Sequence, residues 1–331
     1  MTKAKLFIFT FIPVTLLVTI GLGLFEWRLR QSIFSWDPKG QDAGPRAHAG
    51  CYQAAPTTGY EPIPGKCKRD DNGFYRTWSG IEPKDNYHIL VIGDSIADQH
   101  EWVVDTVNAM NKKTVNNPEV IASNAGTPGY DTCTELRVLE EKGLQINPDM
   151  VLLQFCPNDL AVTATVIPVS DQEVRFYVGW EYTEFPKWIL RSRALTYLML
   201  KNLQFKRSET QTRASETPVS ACLSQFKSLS ETEGFDLHVA AFPVFVDNLE
   251  STENVVEMQE GAFTASQAEA RGRALLDELK IPYTEVRKLF EGHSLVARRN
   301  HITDLWHPDR KGQRIIGSQL GPILVEQHLE Q

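Results

Sequence analysis

Short apolar runs, separated by segments with helical periodicity, organise the chain from residue 87 onward. Five of these runs have the length and composition of buried β-strands. They are His88–Ile92, Pro118–Ala122, Met150–Phe155, Leu237–Phe242 and a weaker run within Ile281–Val286. Between them, apolar residues recur every three or four positions, which is the spacing of an amphipathic helix. Strands that alternate with helices predict an α/β, doubly wound parallel sheet.

A longer apolar run lies near the start of the chain. Residues Leu6 to Phe25 carry no charged side chain, and their 20 positions match the length of a helix that crosses a bilayer. Lys3 and Lys5 precede the run, which favours a cytoplasmic N-terminus and an exported body. A cleaved signal peptide is the alternative, but its apolar core is typically shorter and a small-residue cleavage site is missing here. We therefore expect residues 1–30 to form an uncleaved signal anchor, a transmembrane helix.

The segment after this run has little apolar character. Residues 31–85 are rich in proline, glycine and polar side chains, and no helical period runs through them. We interpret them as a stalk with short irregular or β structure that precedes a catalytic domain at residues 86–331. The chain has five cysteines, and an exported protein can form disulfides. Cys51 and Cys67 lie together in the stalk and are expected to pair, whereas the odd total leaves at least one thiol unpaired within the chain.

The interval between the third and fourth predicted strands is unusually long. Residues 161–220 open with an aromatic stretch and end in a polar tract, Lys206 to Ser220. Two interpretations remain open for the aromatic stretch, namely a self-packed subdomain and a lid over a binding cleft. Because the insert follows directly after the third strand, either structure would begin at the carboxyl edge of the sheet.

Charge and composition exclude some classes of function. The formal net charge is −8, which does not supply the basic surface that a nucleic-acid partner requires. No group of cysteines and histidines shows zinc-ligand spacing, so we expect neither a metal nor a cofactor. The sequence also contains no Asn-x-Ser/Thr acceptor site, which fits a bacterial periplasm or cell surface.

Polar residues follow each of the first three strands, where ligands bind in sheets of this type. Ser95 follows the first strand within Gly93-Asp94-Ser95, and its ordinary role would be to cap the next helix. A loop with two glycines, Gly126 and Gly129, follows the second strand, and an ordinary turn would explain it. Asn158 follows the third strand and offers a side-chain N–H donor, although an Asx-turn is the simpler explanation.

A further pair of residues lies near the end of the chain. Asp304 precedes His307 by three positions, just before the last predicted helix. A carboxylate at that spacing can orient an imidazole through one ring nitrogen and leave the other free to act as a base. A surface loop that caps the helix is the alternative.

The joint occurrence of these features, in this order, resembles the GDSL or SGNH hydrolase family. The resemblance covers roughly residues 86–330 and implies a flavodoxin-like, three-layer α/β/α fold. It implies that Ser95 is the nucleophile, His307 the base and Asp304 its partner. It also implies that the Ser95 N–H, the Gly129 N–H and the Asn158 side chain bind the oxyanion.

Two positions qualify this correspondence. Gly126 is the alternative to Gly129 as the loop glycine that donates to the oxyanion. Cys156 stands where the family has a glycine, two residues before the asparagine, which affects the expected loop geometry but not the donor.

The resemblance implies hydrolysis of an O-acyl ester through an acyl-enzyme. An acetyl or short acyl group on a cell-envelope glycan is the expected substrate. Two alternatives stay open: an O-acyltransferase that uses the same residues with a sugar hydroxyl as acceptor, and a catalytically silent, anchored scaffold. A second serine, Ser294, lies in a sequence similar to the nucleophile elbow of other hydrolases, but the final glycine of that motif is missing and we expect a structural role.

Overall fold

The fold is taken from a computed structural model. It describes residues 14–15, 17–27, 51–55, 57–80, 85–115, 118–160, 164–168, 173–178, 181–186, 188–189, 192, 194–196, 198–199, 202, 218–251, 256–258, 261–301 and 304–330. The strands are β1 (Tyr52–Ala55), β2 (Gly59–Pro62), β3 (Tyr75–Arg76), β4 (Asn86–Ile92), β5 (Glu119–Asn124), β6 (Met150–Phe155), β7 (Ala164–Pro168), β8 (Glu173–Val178), β9 (Glu181–Pro186), β10 (Asp236–Ala241), β11 (Val256–Met258), β12 (Gly261–Phe263) and β13 (Tyr283–Glu285). The α-helices are α1 (Ser95–Asp98), α2 (Glu101–Thr114), α3 (Thr132–Val138), α4 (Pro218–Glu233), α5 (Ala265–Leu279) and α6 (Arg310–His328).

The main sheet confirms the α/β prediction. It has six strands in the order β13-β10-β6-β4-β5-β3, and all neighbouring strands are parallel except the edge strand β3. Numbered along the chain, the five parallel strands lie in the order 2-1-3-4-5, which is the flavodoxin-like order. The order reverses between β4 and β6. The crevice beyond the carboxyl ends of these two strands is therefore where a ligand is expected.

Helices cover both faces of this sheet. On one face, Ile89 and Val91 of β4 share a core with residues of α2 and α6, among them Trp102 and Leu320. On the other face, α3 packs against α4, and α4 packs against β10. The alternation of side chains along β4 explains the two layers, because successive residues of a strand point to opposite faces.

The sequence places residues 31–85 in a stalk with short irregular or β structure, and it did not indicate that one of these strands, β3, forms the edge of the main sheet. Residues 61–80 belong to the larger of two compact units, together with the main sheet. Tyr75 and Arg76 pair antiparallel with Asn124 and Ser123 of β5. A strand of two residues has too short a pattern for period-2 alternation to be recognised.

The smaller unit comprises Met1–Tyr60, Ala164–Val178 and Tyr182–Arg207. Most of a three-stranded sheet, in the order β7-β8-β9, lies in it, so the insert builds strands of its own. Residues 14–15 and 17–27 are helical, whereas Leu6 to Pro13 of the predicted anchor lie outside the described residues. So do residues 28–50 of the anchor and stalk and residues 206–217 of the polar tract. Within the described part of the chain, no helix has both the length and the apolar character needed to span a membrane.

Four of the five cysteines are disulfide-bonded. Cys51 and Cys67, which the sequence predicts to pair, are both in disulfides. A second bridge, which the sequence did not suggest, joins Cys133 of α3 to Cys222 of α4. Cys156 is free and buried, in agreement with the expected unpaired thiol.

The bridge between Cys133 and Cys222 should contribute substantially to stability. It closes a loop with a sequence separation of 89 residues, and that loop contains the whole insert. We expect the double variant Cys133→Ser/Cys222→Ser to lose about 3–5 kcal/mol of unfolding free energy, because a long loop in the unfolded chain is released. Urea denaturation of both proteins, with and without reductant, measures this loss. Equal midpoints for the two oxidised proteins would contradict the prediction.

Candidate active site

A sharp turn at the end of β4 presents Ser95. The chain leaves the sheet through Gly93, where a Cβ atom would lie 2.5 Å from Gln154 Oε1 and 2.9 Å from the Ala97 Cβ, so only glycine fits. The side chain of Asp94 caps α1 by accepting from the Ile96 N–H at 2.8 Å. The cap is therefore Asp94, not Ser95. The serine hydroxyl is left available for a contact outside its own helix.

That contact is with a histidine 212 residues away in the sequence. Ser95 Oγ lies 2.7 Å from His307 Nε2. The other ring nitrogen, Nδ1, lies 2.8 Å from Asp304 Oδ2 and 3.0 Å from Oδ1. With the carboxylate accepting from Nδ1–H, Nε2 is left as an acceptor for the Ser95 hydroxyl. The structure thus joins the three residues in one hydrogen-bonded chain.

Asp304 is held ionised by its own loop. Partial burial favours the neutral form, but the backbone N–H groups of Trp306 and His307, with the nearby imidazole, keep the pKa of Asp304 below its usual value. Both N–H groups donate to Oδ1, at 2.9 Å and 3.0 Å. The spacing of three residues therefore serves two purposes. It lets Asp304 orient the imidazole, and it lets the same carboxylate accept the backbone N–H groups of the turn that follows it.

Neighbouring backbone fixes the loop that carries His307. The Asn300 N–H donates to His307 C=O at 2.8 Å. Gln99, which directly follows α1, donates from Nε2 to Pro308 C=O at 3.4 Å. Asp309 then caps α6 by accepting from the Gly312 N–H at 2.6 Å. The histidine is thus tied to the helix that carries the serine as well as to the helix that follows it.

Asn158 lies beside the turn that carries Ser95. It belongs to a 3-10 turn, Pro157–Leu160, at the end of β6, and Asp159 stabilises that turn by accepting from the Cys156 N–H at 2.8 Å. Asn158 Nδ2 donates to Asp94 Oδ2 at 2.9 Å, while its Oδ1 contacts the Cys156 thiol. One of the two N–H bonds of the amide suffices for Asp94, so the other can serve a ligand.

Buried carboxyl groups surround this turn. Burial raises the pKa of Asp94 despite hydrogen bonds from the Ile96 N–H and Asn158, and burial raises the pKa of Glu135 and of Asp159 well above the usual range. Their mutual repulsion acts in the same direction for Glu135 and Asp159. Burial therefore shifts all three carboxyl groups towards their neutral forms.

The loop after β5 distinguishes the two candidate glycines. The Gly126 N–H already donates to Asn124 Oδ1 at 2.8 Å. Gly129 instead lies at the third position of a turn closed by the Tyr130 N–H on Thr127 C=O, with φ +80° after a proline, as in a type II turn. Gly129 is also exposed. Gly126 is therefore a packing glycine, and Gly129 is the one whose N–H can face a ligand.

The two glycines should respond differently to alanine. A Cβ atom at Gly126 would lie 2.5 Å from backbone atoms of Ala97 and Asp98, which cannot move aside as a side chain does. We expect Gly126→Ala to lose about 3 kcal/mol of unfolding free energy or more. Gly129→Ala should lose only about 1–2 kcal/mol, the strain of a positive φ. Chemical denaturation measures both, and equal losses would contradict the packing role of Gly126.

Several residues of the site were missed from the sequence. Gln154 Oε1 accepts from the Asp94 N–H at 2.9 Å and from the Ala97 N–H at 3.3 Å, which fixes the turn that carries Ser95 to β6. An amide inside an apolar strand was the signal that could have revealed it. Arg69 gave no such signal.

Ser294 has the structural role expected for it, because its hydroxyl donates to Asp247 and accepts from the Ala297 N–H.

The helix that begins at Ser95 is short. It ends at Asp98, and His100 precedes α2 with φ +61°. The break brings the imidazole towards β5, where Nδ1 accepts from Asn124 Nδ2 at 3.1 Å. His100 is thus part of the support of the loop after β5.

Comparisons with known proteins find similarity among solved structures alone. No family model matches the chain, and no curated protein matches it. The acetylxylan esterase Axe2 from Geobacillus stearothermophilus is 13% identical with a TM-score of 0.42, covering 73% of this chain and 93% of that one. A protein from Parabacteroides merdae described as a GDSL-like lipase is 14% identical with a TM-score of 0.41, covering 75% and 98%. One from Bacteroides fragilis described as an acylhydrolase is 12% identical with a TM-score of 0.41, covering 75% and 91%. These three TM-scores lie below 0.5, so the chemistry of this chain is argued from its own residues.

Proposed function

We propose that this chain is a serine ester hydrolase in which Ser95 is the nucleophile. The observation that carries the proposal is the hydrogen-bonded chain from Ser95 through His307 to Asp304. A serine hydroxyl becomes a useful nucleophile when a neighbouring base takes its proton, and the base needs a partner that fixes its tautomer. A silent scaffold has no need for this alignment.

The proposed reaction assigns a step to each of these residues. Ser95 Oγ attacks the ester carbonyl while His307 Nε2 takes its proton, and Asp304 stabilises the imidazolium that forms. The resulting oxyanion is bound by the N–H groups of Ser95 and Gly129 and by the Asn158 amide. When the intermediate collapses, the imidazolium protonates the departing alcohol. Water, deprotonated by the imidazole, then releases the acid and restores Ser95.

Covalent labelling tests this proposal directly. A fluorophosphonate should modify wild-type protein at Ser95, as peptide mass mapping can show. Heat-unfolded protein is the control, because an ordinary serine lacks an activating base. The proposal fails if the folded protein is not labelled, or if Ser294 is the labelled residue.

The substrate that we propose is an O-acetyl or short acyl ester on a cell-envelope glycan. This extends the resemblance to the GDSL or SGNH family and the proposed exported location. A panel of p-nitrophenyl esters of increasing chain length, alongside acetylated glycans, measures the preference. Including a free sugar in the same assays tests the transferase alternative, because a transferase would form an acylated sugar in place of free acid.

We also propose that residues 6–25 anchor the protein in a membrane, with the catalytic domain on the extracytoplasmic side. In the described part of this run, several large apolar side chains are more than half exposed, including Leu17 (69%), Leu22 (56%) and Leu24 (60%). Exposure of several leucines on one helix is unfavourable in water and favourable in lipid. A C-terminal fusion to alkaline phosphatase, which reports export, should be active. If that fusion were inactive while a C-terminal fusion to a cytoplasmic reporter was active, this topology would be excluded.

A further inference from the structure

Arg69 is a buried charge on an irregular segment, and it contacts three parts of the larger unit. Its side chain is only 1% exposed. One nitrogen, Nη1, donates to Gly73 C=O at 3.0 Å, within the same segment. The other, Nη2, donates to Asp98 Oδ1 at 2.5 Å and to Gly126 C=O at 2.9 Å. The guanidinium therefore bridges the end of α1 and the loop after β5.

Aromatic rings enclose this bridge. The Tyr75 ring covers the guanidinium, with Cζ 4.1 Å from the ring centroid, and the Tyr75 hydroxyl lies 3.4 Å from Asp98 Oδ1. The His100 ring packs on Tyr75 with a centroid separation of 5.0 Å. Burial and the Arg69 charge lower the pKa of His100 to about 4, so the imidazole is neutral beside the arginine. Arg69 and Asp98 are thus the paired charges of an enclosed contact, where their attraction is screened less than at the surface.

The bridge acts on the loop that carries Gly129. The peptide between Gly126 and Thr127 is held on both sides, since its C=O accepts from Arg69 and its N–H donates to Gly93 C=O at 2.9 Å. Thr127 begins the turn in which Gly129 has φ +80°. At its other end, the bridge reaches Asp98, the last residue of the helix that Ser95 begins.

We propose that Arg69 is a positioning residue, which sets the loop with Gly129 against the helix with Ser95 and so fixes the oxyanion donors relative to the nucleophile. This inference rests on the proposed function. Arg69 touches none of the reacting atoms. Arg69 affects the position of the oxyanion donors, which matters only when an oxyanion has formed. A misplacement of such a group by about 1 Å can reduce a rate by on the order of 10²-fold.

The expected signature is a loss of kcat without a comparable change of KM. We expect Arg69→Met to lower kcat about 10- to 100-fold and to change KM by less than about threefold, because oxyanion donors act mainly in the transition state. Arg69→Lys should lie between Arg69→Met and wild type. A lysine keeps the charge, but its single ammonium cannot reproduce the planar fork that reaches three acceptors.

A matched control separates positioning from stability. Arg287 also makes a buried-carboxylate ion pair, with Glu269 at 2.7 Å, and donates to two backbone carbonyls, Val244 at 2.6 Å and Val246 at 3.1 Å. Arg287→Met should lower the thermal midpoint as much as Arg69→Met does, while its kcat stays within about threefold of wild type. All variants are compared in the full chain by p-nitrophenyl acetate kinetics, fluorophosphonate labelling rate and thermal unfolding.

The outcomes are distinguishable. The inference is overturned if folded Arg69→Met keeps a kcat within about threefold of wild type, or if Arg287→Met loses as much kcat as Arg69→Met. Should Arg69→Met not fold, Asp98→Asn tests the same contact with a side chain of equal size, and wild-type kcat in that variant overturns the inference. Wild-type protein without labelled Ser95 would instead overturn the proposed function on which the inference rests.

Discussion

Ser95→Ala and His307→Ala are each expected to lower kcat by about 10⁵-fold or more. Nucleophile and base work as a unit, because removal of either stops formation of the acyl-enzyme. The double variant should for the same reason be hardly slower than either single variant. Steady-state kinetics with p-nitrophenyl acetate, on protein freed of contaminating esterases, measures the three rates.

Two further variants sharpen this test. Asp304→Asn should lower kcat less than His307→Ala, because Asp304 orients the imidazole and stabilises its charged form but forms no bond to substrate. Ser294→Ala is the matched serine control, since its hydroxyl is already engaged by Asp247 at 2.6 Å. It should stay within a few-fold of wild type. An active Ser95→Ala together with an inactive Ser294→Ala would show that the nucleophile is misassigned.

Most of the sheet could be predicted because each parallel strand is buried on both faces. Such strands appear in the sequence as continuous apolar runs, and Met150–Phe155 is predicted with its observed bounds. The proposed nucleophile, base and asparagine were found for a related reason. Each lies directly after a strand or before a helix, at positions that the strand pattern already marks, and the structure then brings Ser95, His307 and Asp304 into contact.

The residues that hold the site in place could not be predicted. Their partners are distant in the sequence, and no local pattern marks them. Arg69 lies in a segment without a helical or strand period, and its partners Asp98 and Gly126 are 29 and 57 residues away in the sequence. Cys133 and Cys222 pair across the whole insert, whereas spacing favoured attention to Cys51 and Cys67. Proximity of this kind is a property of the folded sheet. A sequence pattern reveals such proximity for strands and helices, which have a period, but not for a single contact between distant residues.

Asn158→Ala is expected to lower kcat by on the order of 10²–10³-fold with KM within about threefold of wild type. The oxyanion exists only near the transition state, so a donor that binds it contributes to kcat and little to substrate binding. The structure gives the reason to expect a clean effect: Asn158 Nδ2 is held by Asp94 Oδ2 at 2.9 Å, next to the nucleophile in sequence. The donor is therefore already oriented before substrate arrives.

A second asparagine provides the control for this variant. Asn111 bonds Val120 through both atoms of its amide, donating to the C=O at 2.8 Å and accepting from the N–H at 2.7 Å, on the link between α2 and β5. Asn111→Ala should lower the thermal midpoint while leaving kcat within about threefold of wild type. Asn158→Asp, which keeps the shape but replaces the donor by an acceptor, should be at least as slow as Asn158→Ala, because a carboxylate there would repel the oxyanion. If Asn158→Asp were instead as active as wild type, the asparagine would have a structural role, and the oxyanion would have to be bound by backbone N–H groups alone.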